Sequence, residues 1–390
     1  MSGGVRRLRP DEAAVAARRA AVSFGSTFDD AAVEVWRERI DAGEVWGAVG
    51  DDGTVLAHAR LSAVDHWFGG RRVPTQHVAA VAVPPEHRGR GVATALLAAA
   101  VDAGVAEGLG LSLLFPATTR LYRRLGWEHA GTFTRYRVDA RVAPAAGPRM
   151  RPAADADWAA IRACHQRAAQ ALQGPAVRGE QRWQRLRAST YRYVLDDAGG
   201  AGEIEAYLLF DHDRRPGDWQ YTLVIADWAA TSARGLQAVV GLVGSHGSLG
   251  RDATFRGPLP ETWSLLLDEQ DVEVAGGMFW MARGLDLPAA IAARGFPPGL
   301  SGSVTVRVDD PLVAAAGGPW RLEVAGGRGG LVPARHADVR LHARAVGPLY
   351  TGFRSPQALA VAGLVAGPPE ALAWLAGAFA GPLPVLLDFF

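Results

Sequence analysis

The chain has 390 residues, a formal net charge of +1 and one cysteine, and these values limit what it can be. Its length predicts two or three domains with a sizeable core. The near-zero net charge provides no global field that would attract nucleic acid or a membrane surface. One cysteine, Cys164, excludes an internal disulfide framework and a cysteine-based zinc site, and we expect it to be a small buried residue.

The remaining composition favours a cytoplasmic enzyme or binding protein. All 41 basic residues are arginine, which we interpret as a bias in base composition rather than a functional signal. Residues 1–15 carry charges but no apolar core, so no signal peptide is predicted. No run of 18 apolar residues is free of charge or proline, which argues against a membrane partner. Four histidines lack metal-ligand spacing, so we expect no metal: His58, His66, His77 and His87.

In chain order, the first predicted unit (residues 1–140) alternates helices with strands. This pattern favours one mixed sheet with flanking helices. Helices are expected at residues 11–24, around 33–40, at 94–107 and at 119–125. Strands are expected at residues 5–10, 45–49, 55–62, 78–83, 111–115 and 132–138.

The loop after the strand at 78–83 is the most informative stretch. It reads Pro84-Pro85-Glu86-His87-Arg88-Gly89-Arg90-Gly91 and opens an Ala/Leu-rich helix. Such a loop directs unpaired backbone N–H groups and the positive end of the helix dipole at one spot. The two glycines permit close approach of an anion, and the two arginines add charge. Because the lysine of a P-loop and the third glycine of a dinucleotide fingerprint are missing, the pattern predicts a different phosphate or pyrophosphate site.

The second predicted unit (residues 150–285) repeats the beginning of the first. After a linker rich in Ala, Pro and Gly, Arg151-Pro152 precedes an acidic start and a helix, as Arg9-Pro10 does about one domain length earlier. We interpret this as a divergent internal duplication. The segment that corresponds to the phosphate loop, residues 227–235, lacks the two-glycine spacing. The second unit is therefore predicted to be a scaffold without cofactor.

The third predicted unit (residues 286–390) has a helix, several strands and an apolar helical end. The chain finishes with Asp388-Phe389-Phe390 and has no polar tail. Because most termini are polar and frayed, we expect this one to be docked against the protein.

The Arg-x-x-Gly-x-Ala loop, the duplication, the third unit and the apolar terminus together resemble the Eis-type (enhanced intracellular survival) N-acetyltransferases. That family joins two GNAT domains to a sterol-carrier-protein-like domain. The resemblance implies an α/β (α+β) fold with two tandem mixed-sheet GNAT domains, a catalytic one at residues 1–140 and a degenerate one at 150–285. The sterol-carrier-protein-like domain would span 286–390. It also implies acetyl-CoA as cosubstrate and a homo-oligomer, specifically a hexamer.

The resemblance assigns roles to individual residues. The strand Val81, Ala82 and Val83 would pair with the pantetheine arm, and the pyrophosphate loop would be formed by Arg88, Gly89, Arg90, Gly91, Val92 and Ala93. Tyr122 would be the general acid, and the carboxylate of Phe390 would be the general base. The amine pocket would contain Ser26, Trp36 and Phe389.

The assigned side chains suit amide formation from a thioester. A tyrosine hydroxyl has a pKa near that of a thiol, so it can protonate the departing sulfur, and a strand N–H can bind the thioester oxygen. An α-carboxylate is a weak base in water, but burial between Phe389 and Phe390 would raise its pKa. We expect it to act through a water molecule.

The acceptor is less defined than the reaction. Aminoglycoside-acetylating members carry acidic residues in the amine pocket, whereas this sequence has Ser26 and Phe389 at the matching positions. Four acidic residues are candidates for compensating: Asp29, Asp30, Asp65 and Asp388. The sequence thus predicts N-acetylation of a primary amine in a small molecule or peptide: aminoglycoside-like, polyamine or lysine-type. Two alternatives stay open: a tandem-GNAT enzyme of the mycothiol-synthase kind, against which the third unit argues, and a non-catalytic acyl-CoA or lipid-binding protein.

Overall fold

The computed structural model describes residues 4–144, 146–199, 202–259, 261–313 and 317–390. The first unit has strands β1 (Val5–Arg7), β2 (Val45–Val49), β3 (Val55–Phe68), β4 (Arg71–Ala82), β5 (Leu111–Leu114) and β6 (Glu128–Asp139). Its helices are α1 (Ala13–Phe24), α2 (Asp30–Asp41), α3 (Val92–Ala106) and α4 (Thr119–Arg124). Helix α2 begins as expected for a capped helix, because the Asp29 side chain accepts a hydrogen bond from the Ala32 backbone N–H.

The second and third units follow the same chain order. The second has β7 (Arg151–Pro152), α5 (Trp158–Gln170), α6 (Glu180–Arg187), β8 (Tyr191–Asp196), β9 (Ile204–Asp213), β10 (Tyr221–Ala230), α7 (Ala233–Gly244), β11 (Gly250–Gly257) and β12 (Val272–Gly284). The third has α8 (Leu287–Ala293), β13 (Gly302–Asp309), β14 (Trp320–Ala325), β15 (Arg328–Pro333), β16 (Val339–His342), α9 (Ala343–Thr351), α10 (Pro356–Val361), β17 (Val365–Ala366) and α11 (Pro369–Ala378).

The first two units share one continuous sheet. Its order is β1-β2-β3-β4-β5-β12-β6-β11-β10-β9-β8-β7. Strand β12 of the second unit lies between β5 and β6, and β6 of the first unit lies between β12 and β11. Each unit therefore lends its last strand to the other. The predicted mixed sheets are confirmed, but the prediction that the strand at 132–138 simply closes the first one missed this exchange.

Strand β3 extends further than predicted. It reaches Phe68, six residues beyond the expected end, and a two-residue turn at Gly69 and Gly70 returns the chain into β4, where Phe68 pairs with Arg71. A Gly-Gly pair between two extended runs is a hairpin signal. The sequence-based boundary was wrong because Asp65 and His66 interrupt the apolar alternation.

Each of the first two units contains one place where two parallel strands separate. Strands β4 and β5 pair only from Thr75 to His77, so the same edge of β4 has no strand partner from Val78 onward. We call this gap the first cleft. Strands β10 and β11 likewise pair only up to Val224, and the gap beyond it is the second cleft. The duplication predicted from the sequence is thus visible as two equivalent openings in one sheet.

The third unit packs a five-stranded sheet, in the order β15-β14-β13-β16-β17, against α8, α9 and α11. Its core is continuous with that of the first unit. The cavity enclosed between this sheet and its helices measures about 50 Å³. That volume holds one or two water molecules, so the sterol-carrier-like unit is filled by its own side chains.

Two composition-based expectations can be compared with the structure. Cys164 is buried, as predicted. In the described parts of the chain, none of the helices combines the length and the apolar character needed to cross a bilayer.

Candidate functional site

The predicted phosphate loop forms an open cradle at the beginning of α3. Gly89 and Gly91 have φ values of +75° and +77°, which disfavour any residue with a Cβ, and a Cβ built on either one meets no atom within 4 Å. Gly91 is the N-cap of α3, and no side chain caps this end. The first N–H groups of a 15-residue helix therefore face open space. Arg88 holds the loop to the end of β4, because its Nε donates to the Val83 carbonyl at 2.9 Å.

The strand edge beside this cradle is distorted by a β-bulge. Ala79 pairs with Arg60 and Ala82 pairs with His58, so two residues of β4 oppose one residue of β3. Ala80 has a φ of +48°, a left-handed conformation that costs a non-glycine residue about 1–3 kcal/mol. Bulges redirect the backbone next to binding sites. Here the bulge turns the Val81 backbone relative to the rest of β4, at the free edge of the first cleft.

Tyr122 lies on α4 and is largely buried, with 5% of its surface exposed. Burial raises the pKa of its hydroxyl to about 12. Its ring meets Trp127 edge to face at 6.3 Å. The phenol therefore stays protonated across the neutral pH range and can act only as a proton donor there.

The tail, residues 381–390, is docked as predicted. Leu386 donates its N–H to the Thr132 carbonyl at 2.9 Å, and Val385 donates to the Gln173 carbonyl at 2.8 Å. Thr132 belongs to β6 of the first unit, whereas Gln173 follows α5 of the second. Gly174 has a φ of +101°, and a Cβ there would lie 2.8 Å from the Val385 carbonyl. The tail thus lies between the first two units in a groove that requires glycine.

The tail ends at the point where β4 and β5 separate. The Phe390 ring stacks on His77 with a centroid distance of 3.4 Å and lies 5.1 Å from Phe115. His77 is the last residue of β4 paired with β5, and Phe115 directly follows β5. Phe389 stacks on Phe115 at 4.7 Å and is 63% exposed. The structure therefore brings Phe389 and Phe390 to the mouth of the first cleft.

Two buried histidines support the Phe390 ring. His66 Nδ1 contacts the Gly174 carbonyl at 2.6 Å, and the Nε2 atoms of His66 and His77 are 2.6 Å apart. Because a carbonyl only accepts, Nδ1 of His66 is the donor, and His66 Nε2 accepts the proton of His77. Burial lowers the pKa of His66 to about 4 and also holds the pKa of His77 well below its ordinary value. Both rings are neutral at physiological pH and form a rigid platform.

A buried charge cluster anchors Asp388, two residues before the end of the tail. Arg178 Nε lies 2.7 Å from one oxygen of Asp388, and Arg182 Nε lies 2.6 Å from the other. Arg178 also binds Asp227, which accepts a hydrogen bond from the Tyr207 hydroxyl at 2.5 Å. Arg178 and Arg182 hold the pKa of Asp388 well below its usual range despite its burial. Asp388 is therefore a positioning residue, and its charge is neutralised by two arginines.

Two of the predicted amine-pocket residues, Trp36 and Ser26, belong to the α1–α2 region of the first unit. Trp36 is only 5% exposed and belongs to the core between α1, α2 and β3, where it contacts His58 edge to face at 4.6 Å. Ser26 is exposed in the loop between α1 and α2. Both nitrogens of His58 are buried without a hydrogen-bond partner among the described residues. Contact of Trp36 or Ser26 with a substrate stays a prediction.

The histidine platform and the charge cluster were not predicted from the sequence. In the sequence, His66 and His77 stand out only by lacking metal-ligand spacing. Extending β3 to the Gly-Gly turn would have put these two histidines on adjacent strands of one hairpin. Arg178, Asp227 and Asp388 come from three distant segments, and no local pattern relates them.

In the second unit, the helix end that corresponds to the cradle of the first unit is occupied by the protein's own side chains. Ser232 caps α7 by accepting a hydrogen bond from the Gly235 N–H at 2.9 Å. The Glu205 carboxylate bonds to Ser232 and to Arg234 at the same helix end. An anion of the protein therefore lies at the helix end where the first unit is open. This supports the prediction that the second unit binds no cofactor.

Comparison with known proteins agrees with the three-part organisation. Two family models described as acetyltransferase (GNAT) domains match residues 4–130 and 174–284, and a sterol carrier protein domain model matches residues 287–387. These matches cover each of the three predicted units.

Similarity also extends over the whole chain. The structure of a GCN5-related N-acetyltransferase from Kribbella flavida has 31% sequence identity, covers 99% of this chain and 98% of that one, and gives a TM-score of 0.85. The corresponding structure from Anabaena variabilis has 26% identity, covers 99% of both chains and gives a TM-score of 0.90. The N-acetyltransferase Eis of Mycobacterium tuberculosis is 25% identical over 340 residues, which is 81% of each chain.

Proposed function

Since the chain belongs to the Eis-type GCN5-related N-acetyltransferases, we propose that it transfers the acetyl group of acetyl-CoA to a primary amine of a small molecule or peptide. The observation that carries this proposal is the convergence of three elements on the first cleft. The anion cradle lies at one end, the free edge of β4 forms one wall, and the tail with Phe390 reaches the mouth.

The cradle fits the pyrophosphate of acetyl-CoA. Gly89 and Gly91 leave open space, and the uncapped helix end offers N–H donors and the positive end of its dipole. Arg88 and Arg90 add charge at the exposed surface. The unpaired edge of β4 around Val81 and Val83 offers backbone groups to an extended amide chain. Acetyl-CoA supplies an activated thioester carbonyl.

We assign the two proton transfers to the Phe390 carboxylate and the Tyr122 phenol. Attack by the amine nitrogen forms the C–N bond and breaks the C–S bond. The amine proton passes, through a water molecule, to the Phe390 carboxylate, and the Tyr122 phenol gives its proton to the departing thiolate. The Val81 N–H is the candidate donor to the carbonyl oxygen. The products are an amide and free CoA thiol.

The environment of the tail favours an amine with one charge and an apolar body. Phe115 and Phe389 form an aromatic surface at the mouth, and such faces attract a single ammonium group. Two acidic candidates are already engaged, since Asp388 binds two arginines and Asp29 caps α2. Fewer carboxylates are therefore free to bind a polycationic aminoglycoside than the four acidic candidates predicted from the sequence.

The alternative of lipid carriage has little support. The cavity of the third unit, about 50 Å³, is far below the roughly 300–1,000 Å³ of ordinary ligand pockets. The mycothiol-synthase alternative does not account for residues 287–387, which match a sterol carrier protein domain.

The position of the terminus provides the test. We expect a short C-terminal tag to abolish turnover, because it removes the carboxylate of Phe390 and forces extra residues into the packed mouth of the cleft. Acetyl-CoA affinity should not change. Thiol release with a panel of primary amines measures turnover, and acetyl-CoA titration measures binding. Because the chain contains no lysine, acetyl-lysine detection on peptide substrates has no background from lysines of the enzyme.

The matched control is the same tag at the N-terminus, and both proteins must have equal melting temperatures. Phe390→Leu should retain most activity, since it keeps the carboxylate in position. Equal turnover of the two tagged proteins would remove the terminus from the mechanism.

A further inference from the structure

The second cleft contains a cavity with a volume of about 630 Å³. Its walls come from α5, from the unpaired part of β10, and from the end of β11, and Leu387 of the tail completes it. This volume is within the range of ordinary small-molecule sites. Most of the lining atoms are apolar side chains, including those of Ala168, Leu172, Ile225 and Leu236.

His165 forms part of the cavity wall as a neutral ring. Arg178 Nη1 donates to His165 Nδ1 at 3.1 Å, and a guanidinium cannot accept, so the proton of the neutral ring resides on Nε2. Burial lowers the pKa of His165 to about 4, which keeps the ring neutral. Nε2 is buried and has no hydrogen-bond partner among the described residues, so His165 adds no charge to the cavity.

Arg256 provides a positive charge in the cavity wall. Its guanidinium lies over the Phe133 ring at 4.8 Å. The neighbouring carboxylates of Asp227 and Asp388 are paired with Arg178 and Arg182, and Arg256 forms no ion pair within the described chain. Its charge is therefore available to an occupant of the cavity.

The chemistry of the cavity excludes a CoA-type ligand. Ser232 and Glu205 occupy the end of α7, so a pyrophosphate would meet a carboxylate instead of free N–H groups. What remains is an apolar cleft with the half-buried guanidinium of Arg256 in its wall.

We propose that the second cleft binds a monocarboxylate with an apolar chain, its carboxylate held by the Arg256 guanidinium and its chain lying along β10. One wall of this site includes the tail and the charge cluster that holds it, since Leu387 and Asp227 both line the cavity. Asp227 binds Arg178, and Arg178 binds Asp388. An occupant of the second cleft therefore touches the residues that hold Phe390 in the first.

Calorimetric titration with decanoate tests the proposal. The full-length protein is first saturated with CoA, so that the first cleft is filled. We expect one decanoate per chain. Arg256→Gln should weaken binding roughly 10- to 100-fold, because it removes a charge-assisted hydrogen bond. Arg251→Gln, on the same strand but outside the cavity, is the matched control and should bind like the wild type.

Two further arms make the outcome decisive. Decan-1-ol has no charge, so its binding should not distinguish Arg256→Gln from the wild type. Ala168→Trp fills the cavity and should abolish decanoate binding while CoA affinity persists. Retention of decanoate binding in Ala168→Trp would overturn the proposal, and so would wild-type protein that binds no decanoate up to about 1 mM. Neither readout requires turnover, so failure here is distinguishable from failure of the proposed acetyl transfer.

Discussion

The two clefts have the same strand geometry and opposite electrostatics. In both, a parallel strand pair separates next to a bulge and a helix begins beyond the strand. In the first, Gly91 leaves the end of α3 open to an external anion. In the second, Glu205 and Ser232 supply the anion and the cap from within the protein. A few side chains at one helix end therefore decide whether the same cleft can receive a pyrophosphate.

The clefts also differ in the segment that follows the second strand. The first has α4 with Tyr122, whereas the second has a single turn of 3₁₀ helix at Trp263–Leu266. Trp263 is buried and stacks on Phe255 at 4.0 Å. The second unit thus has a core residue where the first has the proposed proton donor, which adds a second difference independent of the loop.

The largest expected effect is on acetyl-CoA binding, and it distinguishes a substitution at the beginning of α3 from one at the beginning of α7. Gly91→Val adds a β-branched side chain at a φ of +77° and occupies the space proposed for the pyrophosphate. Loss of three charge-assisted hydrogen bonds would weaken acetyl-CoA binding roughly 10³- to 10⁶-fold. Ala233→Val, at the start of α7, should leave both affinity and a stoichiometry of one per chain unchanged. A titration that finds two acetyl-CoA molecules per chain would contradict the comparison.

Tyr122→Phe tests the second difference. The variant keeps the packing against Trp127 and loses only the hydroxyl, so acetyl-CoA affinity should be retained while kcat falls about 10²- to 10⁴-fold. Stopped-flow measurement of thiol release provides the rate. An unchanged kcat would mean that Tyr122 is a packing residue, like Trp263 in the second unit.

Asp388→Asn tests the link between the clefts. It removes one carboxylate from a buried cluster, which should cost about 3–5 kcal/mol of stability. The tail should shift, and kcat should fall by about 10²-fold, the typical effect of a 1 Å misplacement. Acetyl-CoA affinity should not change, and this split distinguishes a positioning role from general destabilisation. Asp139→Asn, which breaks the pair with Arg141, is the control and should leave kcat unchanged.

The smallest effect concerns a buried histidine of the first unit. Burial lowers the pKa of His58 to about 3, so between pH 6.5 and 3 the unfolded chain binds a proton that the folded chain does not. Stability therefore falls as pH decreases through this range, by about 2 kcal/mol at pH 5. His58→Phe removes this loss, so its stability relative to wild type should be about 2 kcal/mol more favourable at pH 5 than at pH 8.

Urea unfolding at the two pH values measures that difference. His165→Phe in the second unit provides the contrast. It removes a similar titration, but it also deprives Arg178 of an acceptor, so it should be destabilised at both pH values. A pH-independent His58→Phe difference would show that His58 is not kept neutral by burial.

What could be predicted from the sequence depends on how local the interaction is. The Arg88–Gly91 loop was recognisable because its strand, glycines and helix are consecutive. The docked tail was recognisable from its composition. The exchange of β6 and β12 was not, because both strands have ordinary patterns and their pairing depends on residues more than a hundred positions apart. For the same reason the sequence could list Asp388 as a candidate pocket acid but could not show that Arg178 and Arg182 neutralise it.

The exchange of strands constrains how the gene can evolve. Because β12 lies between β5 and β6, a gene that lost the second unit would lose a central strand of the first. Fission of the gene at the linker would produce two polypeptides, each missing a strand that the other holds. Once the strands had been exchanged, selection for acetyl transfer by the first unit is enough to retain the second unit. The second unit is kept although it has neither the two-glycine phosphate loop nor a counterpart of Tyr122.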